Sequence, residues 1–545
     1  MVLIIFPPQK SRLPQTIETK LIDYKDTGRF SRIVIDYIRG SALKEFYRHT
    51  VNLEGIQEAI NDRNAFLTDR KLLVEQLKIQ YSALPVSEKV DQNIAALLSN
   101  NTYTICTAHQ PNIFTGHLYF IYKIIHVIKL AAQLNDQLPG NSFVPVFYMG
   151  SEDADLEELG HIFLFGSRYE WKTKQIGAVG RMVVDKELLS LIDIISGQIK
   201  VLPFGKQIMD TIQNCYTKGS SIEQATFKFV HHLFAEYGLL VLLPDNPELK
   251  RAMLPLFEKD LFSHEPADMV NKISAKLEKE YPVQAHARDI NLFYLKDNLR
   301  NRIISKNGVY MVAETSISFT ADELKKELMN HPERFSPNVI LRGLYQEMIL
   351  PNIAFIGGGG ELAYWLQLKG LFDANKVPFP MLVLRNSFVY IEEKVSILMS
   401  KNSLLPEKIF TTIPDLMKDV ISKHSSLNLS LDEQKEKLLK LYGEIQSIAT
   451  AIDPSLREHV LSLSAKVFKT IVVLEKKMLK DDRKKFEAEE RQLAKIYSYL
   501  FPGNNLQERT DNFLPYYAKY GKDFIRQIFD ASSGLEQKFT IIVNR

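Results

Sequence analysis

The sequence predicts an α/β protein: a doubly wound, mostly parallel sheet with connecting insertions, plus an α-helical antiparallel coiled-coil arm. Short apolar runs alternate with helical patterns, which calls for strands joined by crossover helices. Polar residues gather just beyond the carboxyl ends of those runs, where ligands bind in open α/β sheets. An alternating three-and-four spacing of apolar residues between Leu438 and Leu500 marks the arm.

Thr102 to Thr107 alternates and is rich in β-formers, His109-Gln110-Pro111-Asn112 breaks it, and Leu118 to Leu134 follows with helical apolar spacing. After a Leu138-Pro139-Gly140-Asn141 turn, Phe143 to Tyr148 reads as a strand running into Glu152, Asp153, Asp155, Glu157 and Glu158. The whole stretch is one βαβ unit. Further along, Leu239 to Leu243 stops at Pro244-Asp245-Asn246, Ile353 to Ile356 at four glycines, and Met381 to Leu384 at Arg385. Gly238 stands where a helix C-cap belongs.

Charge-rich, less regular segments at about 166–235 and 257–325 read as insertions that wall the cleft. Leu438, Leu441, Ile445, Ile448 and Ile452 form a heptad stripe. Asp453-Pro454 interrupts it, and Leu456, Val460, Leu463, Val467, Ile471, Leu474 and Met478 resume it, so two long helices fold back as a hairpin. The expected organisation is a core over 1–425, the arm over 426–500 and a tail over 501–545 that returns to the core.

A chain of 545 residues exceeds one hydrophobic core, so two or three units are expected. With 45% hydrophobic and 24% charged residues, it has ordinary globular composition, which excludes wholesale disorder. A net charge of +3, from 68 basic and 65 acidic residues, provides no global field for nucleic acid or anionic membranes. Cys106 and Cys215 are the only cysteines, too few for a disulfide framework or a Cys-rich zinc site, and a reducing cytosol fits best. Met1 to Phe6 is apolar but short and runs into Pro7-Pro8, unlike a signal peptide, and nowhere do 18 apolar residues run without a charge. A soluble, cytoplasmic protein with no nucleic-acid or membrane partner is expected.

The segments HQPNIFTGHLYFIYK and SEDADLEELGH carry a resemblance to a known family. Thr107 to Lys129, Val144 to His161, Ser336 to Leu350, Phe355 to Gln367 and Leu506 to Tyr520 resemble, in order and spacing, blocks of the cysteine-adding family of bacillithiol biosynthesis (BshC). The resemblance implies a Rossmann-like, nucleotidyltransferase-type core and a coiled coil that makes a homodimer. It also implies an amide bond formed between the carboxylate of cysteine and the amine of glucosaminyl-malate. Such a carboxylate must be activated before an amine attacks it, so ATP is inferred, although no Walker A or GxGxxG motif is present. This chain departs from the family in His109-Gln110 for a Gln-Gln pair and in His117 for a small residue or proline. It also has Ala154 where a histidine is common, so no catalytic histidine is carried over at that position.

Each candidate has a bland reading beside the functional one. His109 and His117 flank a loop entering a helix, where free N–H groups and the dipole favour an anion that a protonated histidine would also stabilise; otherwise they are caps. Gln110, Asn112, Thr115 and Gly116 are their supports. Glu152, Asp153 and Asp155 can serve as base, as magnesium ligands for a nucleotide or as partners for the amine; otherwise they enrich a helix N-terminus. Glu157 and Glu158 read as solvated, and His161 as either a pocket residue or a buried, satisfied one. Gly358 and Gly359 allow close approach of a ligand, with Glu361 and Tyr364 as contacts. Arg342, Gln346 and Arg385 are placed to hold a carboxylate or phosphate, or to make structural ion pairs. Catalysis is assigned to His109, Asp153 and Asp155, with no dedicated metal site. Two rivals remain at this level: an adenylating enzyme of the class I synthetase type acting on another substrate, and a non-catalytic coiled-coil scaffold.

Overall fold

The computed structural model describes residues 17–40, 42–424 and 430–545. Met1 to Phe6 lies outside the described residues. Contacts divide the described chain into two units, Ile17–Tyr390 with Asn505–Ile542, and Ile391–Asn504 with Val543–Arg545.

The larger unit is built on five parallel strands in the spatial order Met381–Leu384, Asn352–Gly357, Thr102–His109, Ser142–Met149, Leu240–Leu242. The chain lays down the last three in one direction, then crosses back to add the other two. The order therefore reverses between Thr102–His109 and Asn352–Gly357, the kind of switch point that opens a crevice at the carboxyl ends of strands. Thr102 to Ala108 is buried throughout, because both faces of a parallel sheet are covered. Ile105, Val127, Leu130, Phe143, Ile356 and Val383 share one core cluster, each contributing roughly 1.5–3 kcal/mol by burial.

The first insertion opens with the hairpin His161–Leu164 and Ser167–Glu170 and continues as helices Lys186–Ile199, Gly205–Cys215 and Ile222–Phe234. The second carries an antiparallel sheet that runs past the expected limit at 325, because Phe335–Pro337 pairs back onto Leu292–Tyr294. That pairing delivers the chain into helix Val339–Ile349 at the crevice. Asp260 fixes the junction: it accepts the Asn291 N–H at 2.6 Å and Nδ2 at 3.0 Å, and the Asn338 side-chain amide donates to Asn291 at 3.0 Å.

The core ends earlier than the expected 425. Helices Glu393–Lys401 and Ile413–His424 pack with Glu487–Leu500, and Asn402 donates to Gln492 at 2.8 Å, so these helices belong to the smaller unit. Its hairpin consists of Asp432–Ile452 and Leu456–Arg483, joined at Asp453-Pro454, with Lys435 and Glu475 paired across it at 2.7 Å. The seam is not the expected heptad stripe. Leu438, Tyr442 and Ala449 are partly covered, whereas Leu441, Ile445, Ile448 and Ile452 are 51%, 40%, 65% and 77% exposed. No helix among the described residues is long and apolar enough to cross a membrane.

Candidate active site

A cleft of about 690 Å³ lies in the larger unit, lined by the ends of the parallel strands and by both insertions. His109 is the last residue of its strand, and its ring stacks on Tyr119 at 5.3 Å between centroids. Its Nδ1 lies 2.5 Å from Gln110 Oε1 and 2.8 Å from Gln110 N. Burial, and then Lys123, hold its pKa well below the ordinary imidazole range, so the ring is neutral near pH 7. His117 is likewise depressed by burial, with Nδ1 at 3.0 Å from the Thr510 carbonyl. The charged histidines expected at an anion are therefore corrected to neutral ones.

The expected anion site at the start of helix Leu118–Gln137 is also closed. The Leu118 N–H donates to Asp511 O at 2.8 Å, and the Asn512 amide donates to Phe114 O at 2.9 Å. Phe114, Thr115 and Gly116 all take positive φ, and a Cβ on Gly116 would meet Asn112 at 2.8 Å. Asn112, Thr115 and Gly116 thus shape a tight turn beneath the site and take no direct part in its wall.

One wall is acidic. Asp153 accepts the Ala154 N–H at 2.7 Å and the Gln110 amide at 3.1 Å, and lies 3.9 Å from Arg300. Glu152 is buried, ion-paired with the fully buried Lys250, and accepts the Ser336 hydroxyl at 3.2 Å. Burial pushes the Glu152 carboxyl up, with Lys250 opposing it. Asp155 does not join them: its carboxylate caps the turn Leu156–Leu159 by accepting the Glu158 N–H at 3.1 Å. Glu158 lines the cleft, which corrects its reading as merely solvated. His161 holds its Nδ1 2.7 Å from the Glu157 carbonyl.

A second group of lining residues is mainly cationic. Glu361 accepts the Gly358 N–H at 2.8 Å and pairs with Lys123, which also donates to Ala108 O at 2.9 Å. With Gly358 as cap, the first-turn N–H groups of Gly359 and Gly360 have no intrahelical acceptor. A Cβ on Gly359 would meet Val34 at 2.9 Å, while one on Gly360 would meet nothing within 4 Å. Arg342 donates to the Tyr364 hydroxyl at 2.5 Å and pairs with no carboxylate among the described residues. Arg385 is instead a structural ion pair, bonded to Glu508 at 2.7 Å and Ser387 at 3.1 Å, with one edge on the cleft. Gln346 is buried against Glu347 at 2.8 Å, one layer behind Arg342.

Lys123, Tyr119, Glu158, Arg300, Asn338 and Arg509 line the cleft beyond the residues expected. Lys123 stands out in the sequence as one of two lysines, with Lys129, inside the apolar run from Leu118 to Leu134. Arg300 and Arg509 carry no local signal, since distant segments deliver them. Among the described residues no three His, Cys, Asp or Glu side chains converge as a metal-ligand set.

Residues 17–386 match the N-terminal Rossmann-like domain of bacillithiol biosynthesis BshC, and residues 388–543 its C-terminal coiled-coil domain. Proteins named "Putative cysteine ligase BshC" are similar over nearly the whole chain. That of Flavobacterium johnsoniae is 37% identical over 527 residues, covering 96% of this chain and 99% of its own. That of Christiangramia forsetii is 36% identical over 532 residues, with the same coverages of 96% and 99%. That of Bacillus cytotoxicus is 25% identical over 511 residues, covering 91% and 95%. A solved chain described as a putative arginyl-tRNA synthetase from Campylobacter jejuni overlaps 81% of this chain and 98% of its own at 10% identity, with a TM-score of 0.22, too low to bear on fold or activity. With both domains matched in sequence and acidic and cationic groups lining one cleft at the sheet's switch point, the chain belongs to the BshC family of bacillithiol biosynthesis.

Proposed function

We propose that this cleft joins the carboxylate of cysteine to the amine of glucosaminyl-malate. The observation that carries the reading is the lining of one cleft by both kinds of group: Arg342 and the Gly359 and Gly360 N–H groups, and the carboxylates of Glu152, Asp153 and Glu158. An unpaired guanidinium beside open backbone donors suits carboxylate or phosphate oxygens. The acidic groups suit an ammonium group, and they line the same cavity, as a reaction between an acyl group and an amine requires.

ATP belongs to this proposal as the co-substrate whose phosphoryl or nucleotidyl group makes the cysteine carboxylate an acylating one. The donor set fits it: Arg342 and the two glycine N–H groups offer positive charge, with the Lys123–Glu361 pair beside them. Asp153, braced by Gln110 and Ala154, and neutral His109 orient the reacting groups. The uncovered Leu441, Ile445, Ile448 and Ile452 edge supports a homodimer through the hairpin, because an apolar stripe of that length calls for a second surface.

The test is to incubate the pure protein with cysteine, glucosaminyl-malate and ATP and to follow the amide by mass spectrometry, omitting each component in turn. Product that needs all three is expected. No product, or product without nucleotide, overturns the corresponding part of the reading.

A further inference from the structure

We infer that Glu158 takes the proton from the attacking amine when the amide forms, a role that rests on the ligase reading above. Four carboxylates line the cleft, and the structure leaves one of them available. Glu152 is paired with Lys250 and accepts from Ser336. Glu361 is paired with Lys123 and accepts the Gly358 N–H. Asp153 accepts from Ala154 and Gln110 and faces Arg300. Only the Glu158 carboxylate enters no hydrogen bond or ion pair among the described residues; its backbone N–H alone is engaged, by Asp155. A base needs a free lone pair within reach of the proton it removes, and it needs a way to pass that proton on. Glu158 has both, since it borders the cleft and keeps an exposed edge to solvent.

The electrostatics run the same way. Burial, then Asp155 and Asp153, push the Glu158 carboxyl up, with Lys123 opposing, which makes it a stronger base than an ordinary carboxylate. His109 moves in the other direction: burial and Lys123 make it a poor base. A cationic amine docked beside Glu158 would also relieve the repulsion among the three neighbouring acids.

The step balances simply. One ammonium proton passes to a Glu158 oxygen, giving a free amine and a neutral carboxyl. The nitrogen lone pair forms the C–N bond while the bond from the acyl carbon to its activating group breaks, its electron pair leaving with that group. The second surplus proton on nitrogen goes to water at the open mouth, and Glu158 returns its own proton to solvent.

The test uses the full-length protein with cysteine, glucosaminyl-malate and ATP. Glu158→Gln should lower kcat about a hundredfold with little change in melting temperature. Its rate should then climb about tenfold per pH unit below the pKa of the substrate amine, because hydroxide replaces the missing base, whereas wild type levels off. Glu158→Ala should regain activity with added formate. A Glu158→Gln kcat within about threefold of wild type, a loss confined to KM, or no formate rescue would overturn the assignment. Wild-type protein that makes no amide would instead sink the ligase reading, and this proposal with it.

Discussion

Replacing Arg342 separates binding from folding. Its guanidinium lines the cleft, held by Tyr364 at 2.5 Å and by a long 3.5 Å contact to Gln346, with no carboxylate partner among the described residues. A bidentate contact to a substrate carboxylate or phosphate contains two charge-assisted hydrogen bonds, each worth roughly 1.5–3 kcal/mol. Removing both should therefore cost about 3–6 kcal/mol of transition-state binding, or roughly a hundredfold to ten-thousandfold in kcat/KM. The folded protein loses little, because the roughly 1.5–3 kcal/mol of the charge-assisted Tyr364 bond is offset by removing a desolvated charge with it. Arg342→Met should thus lose activity while keeping its urea midpoint. Arg342→Lys, which keeps the charge but not the planar fork, should fall between. Measuring kcat/KM for cysteine, glucosaminyl-malate and ATP separately will show which anion it holds. Changes below about threefold for all three, or a collapse in stability, would refute the reasoning.

Three further outcomes follow from the same geometry. Lys250→Met leaves Glu152 buried without its cation and should destabilise by about 3–5 kcal/mol in urea unfolding, a loss that a second change, Glu152→Leu, should largely restore; an undisturbed single variant would deny the pair its role. His126 is fully buried, takes the Asn386 N–H on Nδ1 and donates from Nε2 to Gly534, and its pKa drops from 6.5 to about 4. As pH falls from 6.5 toward 4, the unfolded chain binds a proton that the folded one refuses, so stability present above 6.5 should decline by up to about 1.4 kcal/mol per unit, and His126→Gln should flatten that slope. Replacing residues 430–500 by a short Gly/Ser linker should convert a homodimer into a folded monomer in light scattering; a monomeric wild type, or a truncated dimer, would rule out the hairpin as the dimerisation element.

Much of the architecture was legible because it depends on near neighbours. Turn chemistry at Pro139-Gly140 and helical spacing from Leu118 onward are local signals, and they place the first βαβ unit; the polar loops after each apolar run locate the ligand-binding edge. The Asp453-Pro454 break likewise marks the hairpin corner, since proline cannot continue a helix from the preceding turn. Tertiary packing alone decided which side chains face the cleft. Asp155 and Glu158 lie three residues apart in one acidic run, yet the first is engaged as a cap and the second is left available. Arg300 and Arg509 reach the cleft from an insertion and from the carboxyl-terminal segment, contacts set by chain crossings that no periodicity records. The protonation of His109 belongs to the same class: its charge depends on burial and on Lys123, fourteen residues away in sequence, which only the folded chain brings beside it.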